Sequence, residues 1–552
     1  MTYLPRLVME TEKKKAFVYD FKEEFYGGDF DKILTESEKS RLIYIIMEKI
    51  KIGELPNFKK ALKDTEFTFL QGDSENLGFF LKRNQMLKEM IPLFSKSKMI
   101  RAVRDGHADD PKNSHIMRQI WSLTTIYIDV KKIRDYYGDE LAIYFEWMNF
   151  LQSWLLIPSA FAIFVWGSNQ YIDIGENPFT GMFSIIMSLW GTVYLCSWRR
   201  HCKGLDILWD DYIVENDAED LRKEFVGEPC INPITDKPDT YQPTSQKIKQ
   251  YIISFIICFP CWCVCCLIIV AFLNATGVIR PDHHGGAFDI PELSHLADPG
   301  NYCDPEGNIN MVVSIAQAII TMIMNQYFRK VAIYTADMEN HKTQRAYNNS
   351  IFIKRFIFEF TDFQLYLFYI GIYQMDIKLL RVNLISVFMV DEIRRVITEA
   401  VIPYLQQHKD EIQKDVTQKI KRSMSQVKPS EDSTDDFKLK RSDSSIIRQK
   451  DIIEEELAEL EREEVEQFDD YLEMVMTFGY VVLFASSFPF GTTLTSLFIY
   501  IETKSDAFKM EMNARRPFSR KAHDIGTWEL ALDILSVGAV FTNIVLCCYA
   551  TN

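Results

Sequence analysis

The chain has 552 residues and a formal net charge of -15 at pH 7. This acidic balance disfavours a nucleic-acid partner, because binding to phosphates needs a basic surface. The apolar residues are concentrated in blocks of about 20 residues, the length that crosses roughly 30 Å of hydrocarbon. The composition therefore predicts a mainly α-helical, polytopic membrane protein rather than a string of soluble domains.

The N-terminal part of the chain contains no apolar block long enough to span a bilayer. Short apolar stretches alternate there with charged helical ones, which predicts a cytosolic, ferredoxin-like α+β domain over residues 1–140. The first residues, MTYLPRLVMETEKKK, lack the apolar core of a signal peptide. We therefore expect the N-terminus to stay in the cytosol.

Nine membrane helices are predicted, six within 141–405 and three within 469–552. They cover residues 143–166, 179–198, 251–273, 310–334, 351–373, 375–405, 471–487, 490–508 and 528–549. Basic residues are frequent in 199–250 and scarce in 274–308. Since basic loops stay on the cytosolic side, this asymmetry again predicts a cytosolic N-terminus.

A charged segment over 406–468 separates the sixth helix from the seventh. It runs into an almost purely acidic stretch, EEELAELEREEVEQFDD, from Glu454 to Asp470. Such a run is typical of a solvated helix face or a disordered linker, so we predict a cytosolic acidic linker here.

Five of the eleven cysteines lie inside the apolar third helix. Zinc sites pair CxxC units across a polar loop, and this stretch has neither a second unit nor flanking histidines. We interpret these residues as buried thiols, with acylation near a helix end as the alternative.

The fifth and sixth helices carry more charge than a lipid-facing span tolerates. A charge at the centre of a span costs at least ~2.5 kcal/mol, so such helices line water, lipid headgroups or an ion. The charged or polar residues concerned are Lys354, Arg355, Glu359, Asp362, Gln364, Arg381, Asp391, Glu392, Arg394, Arg395 and Glu399. We predict that Lys354, Arg355, Glu359 and Arg381 line a polar groove. The alternative is that 350–405 forms a cytosolic helical pair.

Carboxylates are predicted to converge at the cytosolic ends of the sixth, seventh and eighth helices. Asp470 and Glu473 open the seventh helix, and Glu502 and Asp506 close the eighth. Spacings of three and four residues place each pair on one helical face. The connector between the two helices is short, so they are antiparallel and both pairs lie at one depth. Glu399, near the end of the sixth helix, can join them there.

Five carboxylates at one depth need a cation. Calcium accepts six to eight oxygen ligands in irregular geometry, whereas zinc and iron prefer His or Cys ligands. Paired carboxylates could instead act as acid and base in a hydrolase. The chain offers no nucleophile or histidine beside them, so we predict calcium binding and no enzymatic activity.

Several long stretches resemble the anoctamin family, and the likeness extends over nearly the whole chain. These stretches are KIRDYYGDELAIYFEWMNF, ENHKTQRAYNNSIFIKRFIFEF, DDYLEMVMTFGYVVLFASSFPF, IETKSDAFK, RRPFSR and DIGTW. The resemblance implies a homodimer with ten membrane helices per subunit, and a groove between the fourth and sixth helices that conducts anions, lipid headgroups or both.

The resemblance also implies a set of calcium ligands for up to two ions per subunit. The matching positions are Glu399, Asp470, Glu473, Glu502 and Asp506. Asp470 stands where a glutamate is more usual. Arg395 stands where the family commonly has an asparagine, and we expect it to modulate the site by pairing with Glu399 and opposing calcium.

Two further departures from the family pattern are a missing glycine hinge in the sixth helix and an end at Asn552, before a tenth helix. The sequence thus predicts calcium-regulated passive transport, with phospholipid scrambling and chloride conduction both open. The short link YQMD and the single outer-loop Cys303 favour the intracellular, scramblase-like relatives. A membrane-contact or trafficking protein is the alternative, and the endoplasmic reticulum and plasma membrane are not separated.

Overall fold

The computed structural model describes most of the predicted membrane region. The described residues are 37, 38, 40, 41, 127–172, 177–209, 222, 225–231, 238–279, 288–297, 310–395, 397, 463–465, 467–512, 514–517 and 519–550. Most of the predicted cytosolic domain (1–140) and of the linker (406–468) lies outside the described residues. Glu399 and Cys303 lie outside them as well.

The described chain is mainly helical, as predicted. Its helices are α1 (Val130–Tyr137), α2 (Asp139–Ser168), α3 (Pro178–Leu208), α4 (Thr244–Ala275), α5 (Pro291–Ser294), α6 (Asn310–Met338), α7 (Gln344–Phe368), α8 (Ile377–Arg395), α9 (Gln467–Leu483), α10 (Gly491–Met512) and α11 (Trp528–Ala550). In one short sheet, β1 (Glu228–Ile231) pairs antiparallel with β2 (Pro238–Tyr241); in another, β3 (Glu463–Glu464) pairs parallel with β4 (Ala514–Arg515).

Four of the described helices are long and apolar enough to cross a membrane: α2, α3, α4 and α11. Their qualifying lengths of 30, 31, 32 and 21 residues correspond to about 30 to 48 Å of helix, enough for roughly 30 Å of hydrocarbon. This confirms a multi-pass membrane protein. Helices also form at the other five predicted positions, as α6 to α10, and their crossing of the bilayer stays a prediction.

The link between α7 and α8 is as short as the sequence suggests. A π-helical turn, Tyr369–Tyr373, ends α7, and Met375 then adopts a left-handed φ of 58°. The Asp376 carboxylate accepts a hydrogen bond from the Leu379 amide at 2.9 Å. This side chain caps the start of α8, because the first amides of a helix have no partner within it.

The chain divides into two compact units. The first comprises Met1–Trp154, Asp391–Asp470 and Leu497–Ile525, and the second comprises Leu155–Val390, Tyr471–Ser496 and Gly526–Asn552.

In the second unit, polar side chains join apolar helices. The Asn543 amide on α11 donates to Ser188 Oγ on α3 at 3.2 Å and to the Val482 carbonyl on α9 at 2.8 Å. The neighbouring Thr542 hydroxyl donates to the Leu483 carbonyl at 2.8 Å. Since lipid tails are as apolar as the helices, such hydrogen bonds add specificity that hydrophobicity alone does not provide.

The cysteine-rich helix α4 packs on α6 and α7 in the same unit. Cys265 is 1% exposed in an apolar cluster with Phe328 and Phe358, whose rings stack at 3.9 Å. The Trp262 indole N–H donates to Thr361 Oγ1 at 2.8 Å. The prediction of a buried thiol is therefore confirmed for Cys265, and the other four thiols on α4 are half-buried.

In the first unit, Gly138 forms the corner between α1 and α2. Its φ is 108°, and a Cβ atom at this position would collide with Ser519. Only glycine adopts this backbone without strain. The same corner holds Arg516, whose guanidinium lies 4.0 Å from the Tyr136 ring and donates to the Tyr136 carbonyl. The segment RRPFSR therefore anchors the start of α2.

Candidate functional site

The carboxylates of α10 form a buried acidic face. Glu502 and Asp506 are 3% and 4% exposed. They are four positions apart, so they project from the same side of the helix, and Lys509 follows one turn later. Because a buried charge is costly without a partner, this face requires hydrogen bonds or a cation.

A tyrosine from α2 supplies one of those partners. The Tyr144 hydroxyl donates to Asp506 Oδ2 at 2.5 Å, a short distance typical of a charge-assisted hydrogen bond. Tyr144, itself 2% exposed, thus links α2 to the acidic face of α10 within the first unit.

A lysine supplies another partner. Lys509 Nζ on α10 lies 2.7 Å from Asp470 Oδ1 in the first turn of α9. Asp470 is 9% exposed, whereas the Lys509 side chain is 36% exposed. The ammonium group therefore reaches from a more open position onto a buried carboxylate and neutralises it.

The other predicted site residues lie as follows. Arg395 ends α8 and is 1% exposed, among the largest fully buried side chains. Glu473 lies one turn after Asp470 on α9 and is half-buried. Glu399 is outside the described residues, so the convergence of all five carboxylates stays a prediction.

The residue types at this face fit calcium. Asp470, Glu502 and Asp506 provide carboxylate oxygens, the ligands that calcium prefers. Within the part of the chain that is described, no group of three or more His, Cys, Asp or Glu side chains could hold a metal ion. In this arrangement Lys509 pairs with Asp470 and the Tyr144 hydroxyl donates to Asp506. Calcium would have to displace Lys509 and Tyr144 to reach these carboxylate oxygens.

Sequence reasoning missed Tyr144 and Lys509. Lys509 could have been found, because it lies seven residues after Glu502 and hence on the same face of α10. Tyr144 is separated from Asp506 by 362 residues. Without the fold, one tyrosine in an aromatic-rich span carries no signal of such a contact.

The predicted groove residues form ion pairs. Lys354 Nζ lies 2.8 Å from Glu339 Oε1, and Arg355 Nη2 lies 3.2 Å from Glu359 Oε1 one turn along α7. Arg355 and Glu359 are 6% and 5% exposed. Arg381 is half-buried on α8. That these residues line a groove stays a prediction, and the pairing offsets the charges of Lys354, Arg355 and Glu359 on α7.

Glu339, in the connector between α6 and α7, forms a further buried cluster. Its carboxylate lies 2.8 Å from His341 Nε2 and from Lys354 Nζ, and accepts a hydrogen bond from the Ser350 hydroxyl. Burial raises the pKa of Glu339, but the hydrogen bonds from His341, Lys354 and nearby serines outweigh it and lower the pKa to about 2. The carboxylate therefore remains ionised and ties the start of α7 to the connector.

Replacing Glu339 by Gln is expected to destabilise the protein by roughly 3 kcal/mol, because it leaves the Lys354 ammonium without its buried counter-ion. Thermal unfolding of the purified protein in detergent measures this. Glu529→Gln is the matched control, since Glu529 belongs to a more open pair with Arg199, which is 45% exposed. That control is expected to cost less than about 1 kcal/mol. Equal losses in both variants would contradict the account.

The same carboxylate predicts a pH dependence. The folded pKa of Glu339, about 2, lies below its ordinary value of 4.5, so its contribution is complete above pH 4.5 and is lost as the pH falls towards 2. The difference in unfolding temperature between wild type and Glu339→Gln should stay constant from neutral pH down to about 5, then shrink under more acidic conditions. A difference that disappears already near neutral pH would show that Glu339 is not the group responsible.

Comparison with known proteins decides the family. The family model "Anoctamin: Calcium-activated chloride channel" matches residues 133–552, more than half of the chain. The chain belongs to the anoctamin family. Anoctamin-10 from Homo sapiens is 29% identical over 427 residues, which cover 76% of this chain and 58% of that protein. Anoctamin-10 from Danio rerio is 27% identical, with 75% and 58% covered.

A more distant anoctamin matches over a longer stretch. Anoctamin-4 from Homo sapiens is 23% identical over 608 aligned positions, covering 96% of this chain and 56% of that protein. The higher identity to Anoctamin-10 agrees with the predicted likeness to the intracellular branch. The chain spans about 58% of the length of the Anoctamin-10 proteins it matches.

Proposed function

We propose that this anoctamin moves phospholipids, chloride or other anions, or both, passively across a bilayer under the control of calcium. The observation that carries the proposal is the buried acidic face of Glu502 and Asp506, where Asp506 accepts a hydrogen bond from Tyr144 and Lys509 of the same helix reaches the buried Asp470. Family membership supports channel or scramblase activity in general.

Five carboxylates are proposed as the calcium ligands. They are Glu399, Asp470, Glu473, Glu502 and Asp506. Bound calcium would supply the positive charge that relieves repulsion among them. Before it binds, Lys509 neutralises Asp470 and the Tyr144 hydroxyl stabilises Asp506. Arg395, fully buried at the end of α8, is proposed as a modulator that opposes occupancy of a second ion position.

The proposed route follows the polar faces of α6, α7 and α8. When the acidic residues draw together, α8 would move relative to α9 and α10 and open the groove. Lys354, Arg355, Glu359 and Arg381 are the proposed lining residues. Calcium favours the conformation that binds it more tightly. If the open conformation does so, calcium shifts the equilibrium towards an open groove.

The proposed assembly is a homodimer in which the N-terminus of each subunit faces the cytosol. Transport in this scheme is downhill and needs no bound nucleotide, since the chain carries no GxxxxGK[ST] motif for phosphate binding.

Parallel transport assays test the proposal. Purified full-length protein in liposomes is assayed for exchange of a fluorescent phospholipid between leaflets and for chloride flux, with calcium buffered at micromolar levels or chelated. Calcium-stimulated lipid exchange, chloride flux or both would support the proposal. Transport that ignores calcium would overturn the proposed regulation, and absence of both fluxes would favour a membrane-contact or trafficking role.

A further inference from the structure

A second polar site lies inside the membrane region, between α6 and α7. Asp362 lies on α7 and is the twelfth of the 23 residues in the predicted span 351–373, which places it near the middle of that span. Thr321 Oγ1 donates to Asp362 Oδ1, and Asn325 Nδ2 donates to Asp362 Oδ2, both at 3.4 Å. Thr321 and Asn325 are four residues apart on α6, so they lie on the same face.

Among the described residues, the Asp362 carboxylate forms no ion pair with a basic side chain, and its hydrogen bonds are the two from Thr321 and Asn325. The other two acidic groups near α7 differ in this respect, because Glu359 pairs with Arg355 and Glu339 pairs with Lys354. Both hydrogen bonds to Asp362 are also long, since the usual N–H···O distance is about 2.9 Å. Two weak donors compensate a carboxylate poorly in a region of low dielectric constant.

Asn325 adds an acceptor that lacks a donor. Its amide nitrogen faces Asp362, while its carbonyl oxygen Oδ1 is fully buried and makes no hydrogen bond in the described structure. A buried polar atom without a partner costs roughly 1–3 kcal/mol. The three side chains therefore carry more acceptor oxygens than their mutual hydrogen bonds use: both carboxylate oxygens of Asp362, the Asn325 carbonyl oxygen and the Thr321 hydroxyl oxygen.

We propose that Asp362, Asn325 and Thr321 form a binding site for one cationic group within the membrane. Oxygen ligands with a single negative charge suit a hard monovalent cation or an ammonium group. The group is either an inorganic cation or the ammonium of a zwitterionic lipid headgroup. The binding site stands on the contacts of Asp362 alone, and its use in transport rests on the proposed function.

A fixed negative charge in the proposed groove has a consequence for the permeant. It attracts the cationic end of phosphatidylcholine or phosphatidylethanolamine and repels chloride. If the groove conducts, permeation of small cations and of lipids with an ammonium group in the headgroup is therefore favoured over permeation of free anions at this depth.

Binding is tested on purified full-length protein, so that the result does not depend on transport. Thermal unfolding in detergent is compared in potassium chloride, sodium chloride and N-methyl-D-glucamine chloride at equal ionic strength. A second arm compares nanodiscs of phosphatidylcholine with nanodiscs of phosphatidylglycerol, which has no cationic group. A cation that binds the folded state should raise the unfolding temperature of wild type by at least ~2 °C in one arm.

Three variants separate binding from general effects on folding. Asp362→Asn keeps the shape of the side chain and removes the charge, so the cation-dependent shift should disappear. Asn325→Leu removes two of the polar atoms and should reduce the shift even if Asp362→Asn fails to fold. Thr361→Val is the control, because its hydroxyl faces Trp262 instead, and it should keep the shift.

The two arms also identify the source of the cation. A shift in detergent with potassium or sodium indicates an inorganic ion, and a shift confined to phosphatidylcholine nanodiscs indicates the headgroup; both support the site. The proposal is overturned if wild type is equally stable in all media, or if the shift survives in both Asp362→Asn and Asn325→Leu. Either result would refute the cation site alone, because the transport assays of the proposed function do not depend on it.

Discussion

Replacing Asp506 by Asn is expected to raise the calcium concentration that half-activates transport by roughly 100-fold. The substitution removes one negative charge from a buried site where a carboxylate and a cation interact by about 3 kcal/mol or more, and each 1.4 kcal/mol corresponds to a factor of ten. The fold should survive, because the Asn carbonyl can still accept the hydrogen bond from Tyr144. Calcium titration of lipid exchange or chloride flux in liposomes measures the change.

Asp533→Asn provides the control for Asp506→Asn. Asp533 lies on α11 in an exposed pair with Arg199, where its side chain is 40% exposed. The same chemical change at that position should leave the calcium requirement unaltered. If Asp506→Asn and Asp533→Asn have the same half-activating concentration, Asp506 is not a calcium ligand.

The second large effect concerns Lys509. Replacing it by Met is expected to lower the half-activating calcium concentration by about 10-fold, because calcium then no longer competes with an ammonium group 2.7 Å from Asp470 Oδ1. The variant should be less stable than wild type when calcium is chelated, since the buried Asp470 carboxylate loses the ammonium group 2.7 Å from its Oδ1. Calcium should restore that stability, and thermal unfolding with and without calcium measures both effects.

Lys504→Met separates this competition from a general change of charge. Lys504 lies on the same helix, and its ammonium is 4.9 Å from the centre of the Tyr500 ring. Its removal should change calcium sensitivity much less than the removal of Lys509. A higher calcium requirement in Lys509→Met would show that the lysine assists calcium binding instead of opposing it.

Local pattern was sufficient to predict much of the fold. Apolar blocks of span length predicted the positions at which nine helices form, and the four-residue spacing of Glu502 and Asp506 predicted their shared face. Both features depend on neighbours along the chain. The short link before α8 was predictable for the same reason, because Asp376 provides a helix cap where the apolar pattern is interrupted.

Contacts between distant segments were not predictable. Lys354 and Glu359 were both interpreted as groove-lining charges, yet each has a partner in the structure, Glu339 and Arg355 respectively. The Arg355–Glu359 pair follows an i, i+4 spacing and could have been anticipated. The Glu339–Lys354 pair and the Tyr144–Asp506 hydrogen bond depend on how connectors and helices pack, which a single sequence does not specify.

A direct measurement of calcium binding tests most decisively whether the buried carboxylates hold calcium. Isothermal titration of purified full-length protein with calcium, in excess magnesium, should show saturable binding with at least one ion per subunit. The Glu502→Gln/Asp506→Asn double variant should abolish it. Absence of calcium binding to the wild-type protein, or undiminished binding to the double variant, would contradict the account.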